Sequence, residues 1–166
     1  RGARRRGFPR RPGALYLRPM FESLLRRLLA PGPAPLPAPD ARLALAALLV
    51  RVARADGDYG EAEVARIDAV LRRRHGLSPF EAARLRGEAE GLEEEAPDTV
   101  RFTRAIKDHV PYEERLGVIE ALWEVALADG RRDAEEDGLM RLVAPLLGVE
   151  DADSGLARQR VGARLA

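Results

Sequence analysis

Residues 52–63 read VARADGDYGEAE and residues 125–136 read VALADGRRDAEE, so the chain sets out one local plan twice, 73 residues apart. At that offset Leu43 falls on Leu116, Leu49 on Leu122, Val52 on Val125, Ala53 on Ala126 and Ala55 on Ala128. Asp56-Gly57 then falls on Asp129-Gly130, and Glu63 on Glu136. Each copy specifies an apolar helix, an Asp-Gly stop suited to a left-handed C-cap, a short loop, and a second helix with a glutamate in its first turn. The simplest architecture packs the two pairs about a pseudo-two-fold axis and lets the intervening helices bridge them. The expected fold is therefore all-α, a compact bundle of about seven helices.

Composition agrees with that reading and narrows the chemistry. Alanine, leucine and arginine dominate, aromatic residues make up only 5%, and no segment shows the period-two alternation of a strand. A chain of 166 residues can bury one sizeable core. There is no cysteine, which removes disulfides, thiolate metal sites and cysteine nucleophiles together. The compartment is left open, with the cytoplasm as the default.

Local signals place the helices. Residues 41–55 are apolar nearly all round through Leu43, Leu45, Leu48, Leu49 and Val52, which predicts a central helix. Residues 61–75 put Val64, Ile67, Val70 and Leu71 on one face and stop at Gly76. Ser78-Pro79-Phe80-Glu81 is a capping box with proline at the first helical position, and the helix it opens fades in the acids 93–95. Pro97-Asp98 breaks the chain before a short helix with Val100, Phe102 and Ile106. Pro111 opens a long helix whose expected buried residues are Leu116, Ile119, Leu122, Trp123 and Ala126. Residues 134–147, with Pro145 tightening or kinking the last turn, and residues 151–163 complete the bundle.

Two accounts of the repeated acids stand side by side. In the first, the two turns meet near the pseudo-axis, and Asp56, Glu63, Asp129 and Glu136 converge on a divalent cation. All-oxygen ligands suit Ca²⁺, Mg²⁺ or Mn²⁺. Four carboxylates held together without a cation would repel. In the second, each glutamate lies three residues after an N-cap, Gly60 or Asp133, and simply completes a helix start. An EF-hand is excluded: the loop beginning at Asp56 has Glu61 at its sixth place and Ile67 at its twelfth, where glycine and a bidentate glutamate are required. The second copy has Ala134 and Met140 there.

The ARADG and ALADG turns, each followed by a glutamate at one distance, resemble the TerB family of tellurite-resistance-like proteins. The likeness covers about residues 41–148 and extends to GLSPFEAARL and VPYEERLGVIEALWEVALADG between the copies. It implies a compact helical domain with internal duplication, and it implies that Asp56, Glu63, Asp129 and Glu136 occupy the family's metal-binding positions. Members also occur joined to chaperone-like modules and in membrane-linked stress systems. The J-domain His-Pro-Asp motif is missing from this chain, so a co-chaperone role is not implied.

The flanks lie outside the resemblance. Residues 1–19 hold seven arginines and no acid, leaving the rest of the chain at −6 against an overall +1. They read as a solvated basic tail or a mis-annotated start, and nucleic acid is not the expected partner. Residues 20–30 form an amphipathic pattern through Phe21, Leu24, Leu25, Leu28 and Leu29, and the Pro-rich 31–39 is a linker. Docking of that helix on the domain or on a partner protein is favoured over peripheral membrane contact, because Arg26 and Arg27 are a weak lipid anchor. No apolar run approaches the roughly 20 residues of a membrane span.

Catalytic chemistry is thin. His75 and His109 read as helix-end or surface residues, Trp123 as core, and there is no phosphate loop, paired-histidine motif or serine triad framework. The expected function is that of a non-catalytic adaptor or sensor domain in a bacterial stress response, with a divalent-cation site formed by Asp56, Glu63, Asp129 and Glu136. The alternatives are a metal-assisted hydrolase using the same acids, and a metal-free interaction module.

Overall fold

A helix that is apolar on every side can only be satisfied at the centre of a bundle, and 41–53 is such a stretch. In a computed structural model of the chain, which describes residues 38–95, 99–130 and 134–166, it forms the hub of an all-helical domain. The seven helices among the described residues are α1 (Ala38–Ala53), α2 (Glu61–His75), α3 (Pro79–Glu95), α4 (Thr99–His109), α5 (Tyr112–Ala126), α6 (Ala134–Leu146) and α7 (Asp151–Leu165). The basic tail, the 20–30 helix and residues 31–37 of the linker lie outside the described residues.

Between Ala41 and Ala53 every residue of α1 except Arg42 and Arg51 is buried. The helix packs most extensively on α3 and α4, and also meets α5, α2 and α6. It starts at Ala38, ahead of the expected boundary, because Pro39 falls in the first turn, where helical N–H groups have no intrahelical partner to lose. The second hub is α5, whose residues from Val118 to Ala126 are buried apart from Glu120. It lies against α1, α2 and α6 and carries α7 on its remaining side. Trp123 is 5% exposed, and its Nε1–H donates to Ser154 Oγ at 3.1 Å, fastening α7 to α5.

The boundaries follow local chemistry. Ser78 N–H donates to Glu81 Oε2 at 2.8 Å while Glu81 N–H donates to Ser78 Oγ at 3.2 Å, the reciprocal box expected at the start of α3. Gly76 ends α2 in the left-handed region, and Leu77 N–H reaches back to Arg72 C=O at 3.2 Å. Pro145 lies in the last turn of α6, and Gly148, with φ +77°, closes the helix: its N–H bonds Pro145 C=O at 2.9 Å, and Val149 N–H bonds Ala144 C=O at 2.9 Å.

Two expected core residues sit elsewhere. Leu116 is only half-buried, since full burial in α5 begins at Val118. Val64 is also half-buried, and its neighbour Glu63 takes the inward position instead.

Candidate functional site

The two Asp-Gly turns are built alike. In the first, Arg54 N–H bonds Val50 C=O at 2.9 Å, Ala55 N–H bonds Val52 C=O at 3.2 Å, and Gly57 N–H bonds Arg54 C=O at 3.0 Å. In the second, Leu127, Ala128 and Gly130 repeat those bonds to Trp123, Val125 and Leu127 at 3.0, 3.1 and 3.2 Å. Gly57 has φ +81° and Gly130 φ +71°, a conformation that a Cβ would strain. The repeat in sequence is thus a repeat in turn conformation, produced by one requirement: a helix must stop sharply and reverse.

The carboxylates of the first turn are used locally. Asp56 Oδ1 accepts the N–H of Asp58 at 2.8 Å, an Asx turn that fixes the loop after the glycine. Glu63 Oε2 accepts the N–H of Gly60 at 3.0 Å, and Glu63 is only 4% exposed. That is half of a capping box, since Gly60 has no side-chain oxygen to return a bond. A Cβ at position 60 would stand 3.1 Å from Glu63 Oε2, a tight contact that a small shift of the glutamate carboxylate would relieve. The glutamate also lies in the first turn of α2, where the helix dipole favours negative charge.

The loop of the second copy, 131–133, lies outside the described residues, and with it the expected cap Asp133. Glu136 is 4% exposed, matching Glu63, and both Asp129 and Glu136 are engaged in interactions of their own. Among the described residues no group of three or more histidine, aspartate or glutamate side chains is placed to hold a metal ion. In the first copy, Asp56 and Glu63 satisfy backbone donors of the turn and of the helix start.

One feature of the first turn has no signature in the sequence. Tyr59 Oη donates to Glu90 Oε1 at 2.7 Å, and Arg86 bridges the same Glu90, at 2.6 Å, to Asp68, at 2.7 Å. Burial, and then the bond to Glu90, raise the Tyr59 phenol above its ordinary range, so it stays a donor. The Arg54 guanidinium lies 5.1 Å from the Tyr59 ring centroid and also pairs with Glu93 at 2.8 Å. The loop is thereby tied to α2, α3 and the end of α1. The Arg86–Glu90 spacing alone is readable as an i,i+4 pair; the partners on α2 and in the loop need the fold.

A family model described as "Tellurite resistance protein TerB" matches residues 42–159, which takes in both turns and all of the helices between them. The chain belongs to the TerB family. No curated protein and no solved structure gives a significant match. The TerB match extends past the region of sequence resemblance into α7, so the helix fastened by Trp123 and Ser154 is part of the family's domain. Among the described residues no helix of this TerB domain is long and apolar enough to cross a membrane.

Proposed function

We propose that this TerB domain is a non-catalytic adaptor or sensor in a bacterial stress response of the tellurite-resistance type. One observation carries the proposal: Asp56 and Glu63, the acids of the first copy that a hydrolytic centre would need, each place one carboxylate oxygen on a backbone N–H, that of Asp58 and that of Gly60. A metal-assisted hydrolase requires ligands that converge and leave a coordination position open. These ligands close their own turns instead. The working partner on this reading is another protein, met by the domain surface or by the apolar face of the 20–30 helix, with peripheral membrane contact as the alternative for that helix.

A second reading, in which Asp56, Glu63, Asp129 and Glu136 share Ca²⁺, Mg²⁺ or Mn²⁺, is favoured by the matching burial of Glu63 and Glu136. It requires Asp56 and Glu63 to coordinate the cation beside, or in place of, their bonds to the N–H groups of Asp58 and Gly60. A phosphoesterase panel run with each cation tests the adaptor reading. It predicts no turnover above buffer. Metal-dependent turnover that is lost in Asp56→Ala and retained in Glu88→Ala would replace it with the hydrolase.

A further inference from the structure

The chain's two histidines, far apart in sequence, line one hollow of about 540 Å³ where the start of α1, the end of α2, the end of α4 and the start of α5 come together. That volume lies within the range of small-molecule sites. None of the four repeated acids lines it. Its apolar part is Leu45, Ile106 and Val110 with Ala41, and its cationic part is Arg42 and Arg74.

Three polar groups there lack the partners that such groups normally take. Arg74 is half-buried, its Nη1 lies 3.5 Å from where a Cβ on Gly117 would sit, and it makes no hydrogen bond or ion pair among the described residues. Its neighbour Arg73, by contrast, is paired with Glu124 at 2.7 Å. Arg42 is exposed and likewise without a hydrogen bond or ion pair among the described residues. His75 Nε2 is buried with no hydrogen-bond partner among them. Buried polar atoms are nearly always satisfied, so an orphan beside an unpaired guanidinium marks a place where an acceptor belongs.

We propose that this hollow binds a small carboxylic acid carried on a short apolar stem, with the carboxylate on Arg74 and His75 and the stem against Leu45, Ile106 and Val110. A guanidinium presents parallel donors that fit a carboxylate, and a neutral imidazole can add a third from Nε2. Glu113 and Glu114 line the same hollow, and Glu114 is close enough to act on Arg74, so two acids offset two arginines. With the formal charges balanced, the apolar lining of Leu45, Ile106 and Val110 supplies the preference for a carboxylate on a stem over inorganic phosphate, which has no apolar part to bury. His109 contributes shape and one acceptor: its Nδ1 lies 3.1 Å from the Ala105 carbonyl, which can only accept, so Nδ1 carries the proton and Nε2 does not when the ring is neutral. The site is independent of the adaptor reading and would give a sensor domain a ligand to sense.

The test is a titration of the full ¹⁵N-labelled chain with sodium hexanoate, followed by amide shifts. The Arg74, His75 and Gly117 signals should move saturably with hexanoate and should not do so with hexanol, hexylamine or inorganic phosphate. Arg74→Gln should weaken the apparent affinity at least tenfold. Arg42→Gln, on an exposed side chain, should weaken it in the same direction, and Arg66→Gln, outside the hollow, should leave it within twofold. The proposal is overturned by the absence of saturable shifts with hexanoate, by equal response to hexanol or hexylamine, or by indifference to Arg74→Gln. Saturation by inorganic phosphate as tight as that by hexanoate would also overturn it, assigning the hollow to a free oxyanion.

Discussion

Replacing Glu63 by alanine and by glutamine separates a helix cap from a metal ligand. Alanine removes the carboxylate that accepts the Gly60 N–H at 3.0 Å, vacates a position only 4% exposed, and deletes a charge from the first turn of α2. A charge-assisted backbone bond is worth about 1.5–3 kcal/mol and the dipole contribution about 0.3–1 kcal/mol. The half-buried Gly60 N–H recovers part of this by bonding water. The net expectation is about 2 kcal/mol, or roughly an 8 °C fall in Tm for a domain of this size. Glutamine keeps an oxygen at the same reach, so Glu63→Gln should lose only the charge, less than half of the alanine effect. Urea unfolding followed by helical circular dichroism, in chelator and then in each divalent cation, measures both variants. If glutamine costs as much as alanine, and only when cation is present, the carboxylate is a ligand and not a cap.

The same geometry sets three further expectations. Gly57→Ala and Gly130→Ala should each cost about 1 kcal/mol by chemical denaturation, because both glycines have positive φ; a Cβ on either would meet nothing within 4 Å, so the cost is purely conformational and a null effect would mean that the turns relax freely. Trp123→Phe and Ser154→Ala, taken through a double-mutant cycle followed by circular dichroism, should show coupling of about 1 kcal/mol, and additivity would deny that their bond fastens α7. Burial, then Arg42 and Arg74, lower the His75 pKa from 6.5 to about 4, so between those values the unfolded chain binds more protons than the folded one. Stability should therefore fall as pH drops from about 6.5 to about 4, and His75→Gln should flatten that fall; an unchanged pH profile in the variant would remove His75 as the cause.

The parts of the fold that are legible in the sequence are those whose signals are local. Ser78, Pro79 and Glu81 announce a helix start, Gly76 and the Asp-Gly pairs announce stops, and the all-round apolar face of α1 requires a central place. Burial in the first turns of helices is less legible. Periodicity assigns Val64 and Leu116 to the core, but an inward cap takes the place of one and the other lies in the first turns of α5, ahead of where full burial begins. The repeated acids are clear as a pattern and ambiguous as chemistry, because an N3 glutamate is spaced identically whether it caps or coordinates. Contacts between distant helices carry no sequence signature at all. The Tyr59–Glu90–Arg86–Asp68 network and the hollow that gathers Arg42, Arg74, His75 and His109 exist only once α1, α2, α3, α4 and α5 are assembled.

The proposed function rests on Asp56 and Glu63 holding the domain's own backbone at the first turn and helix start. Isothermal titration of the intact chain with Ca²⁺, Mg²⁺ and Mn²⁺ tests it most directly. The account predicts no saturable one-site heat for any of the three, with Asp56→Ala and Asp129→Ala behaving as the parent chain does. Saturable binding of one cation per chain, abolished in Asp56→Ala and in Asp129→Ala but retained in Glu88→Ala, would contradict it and establish the two turns as a shared metal site.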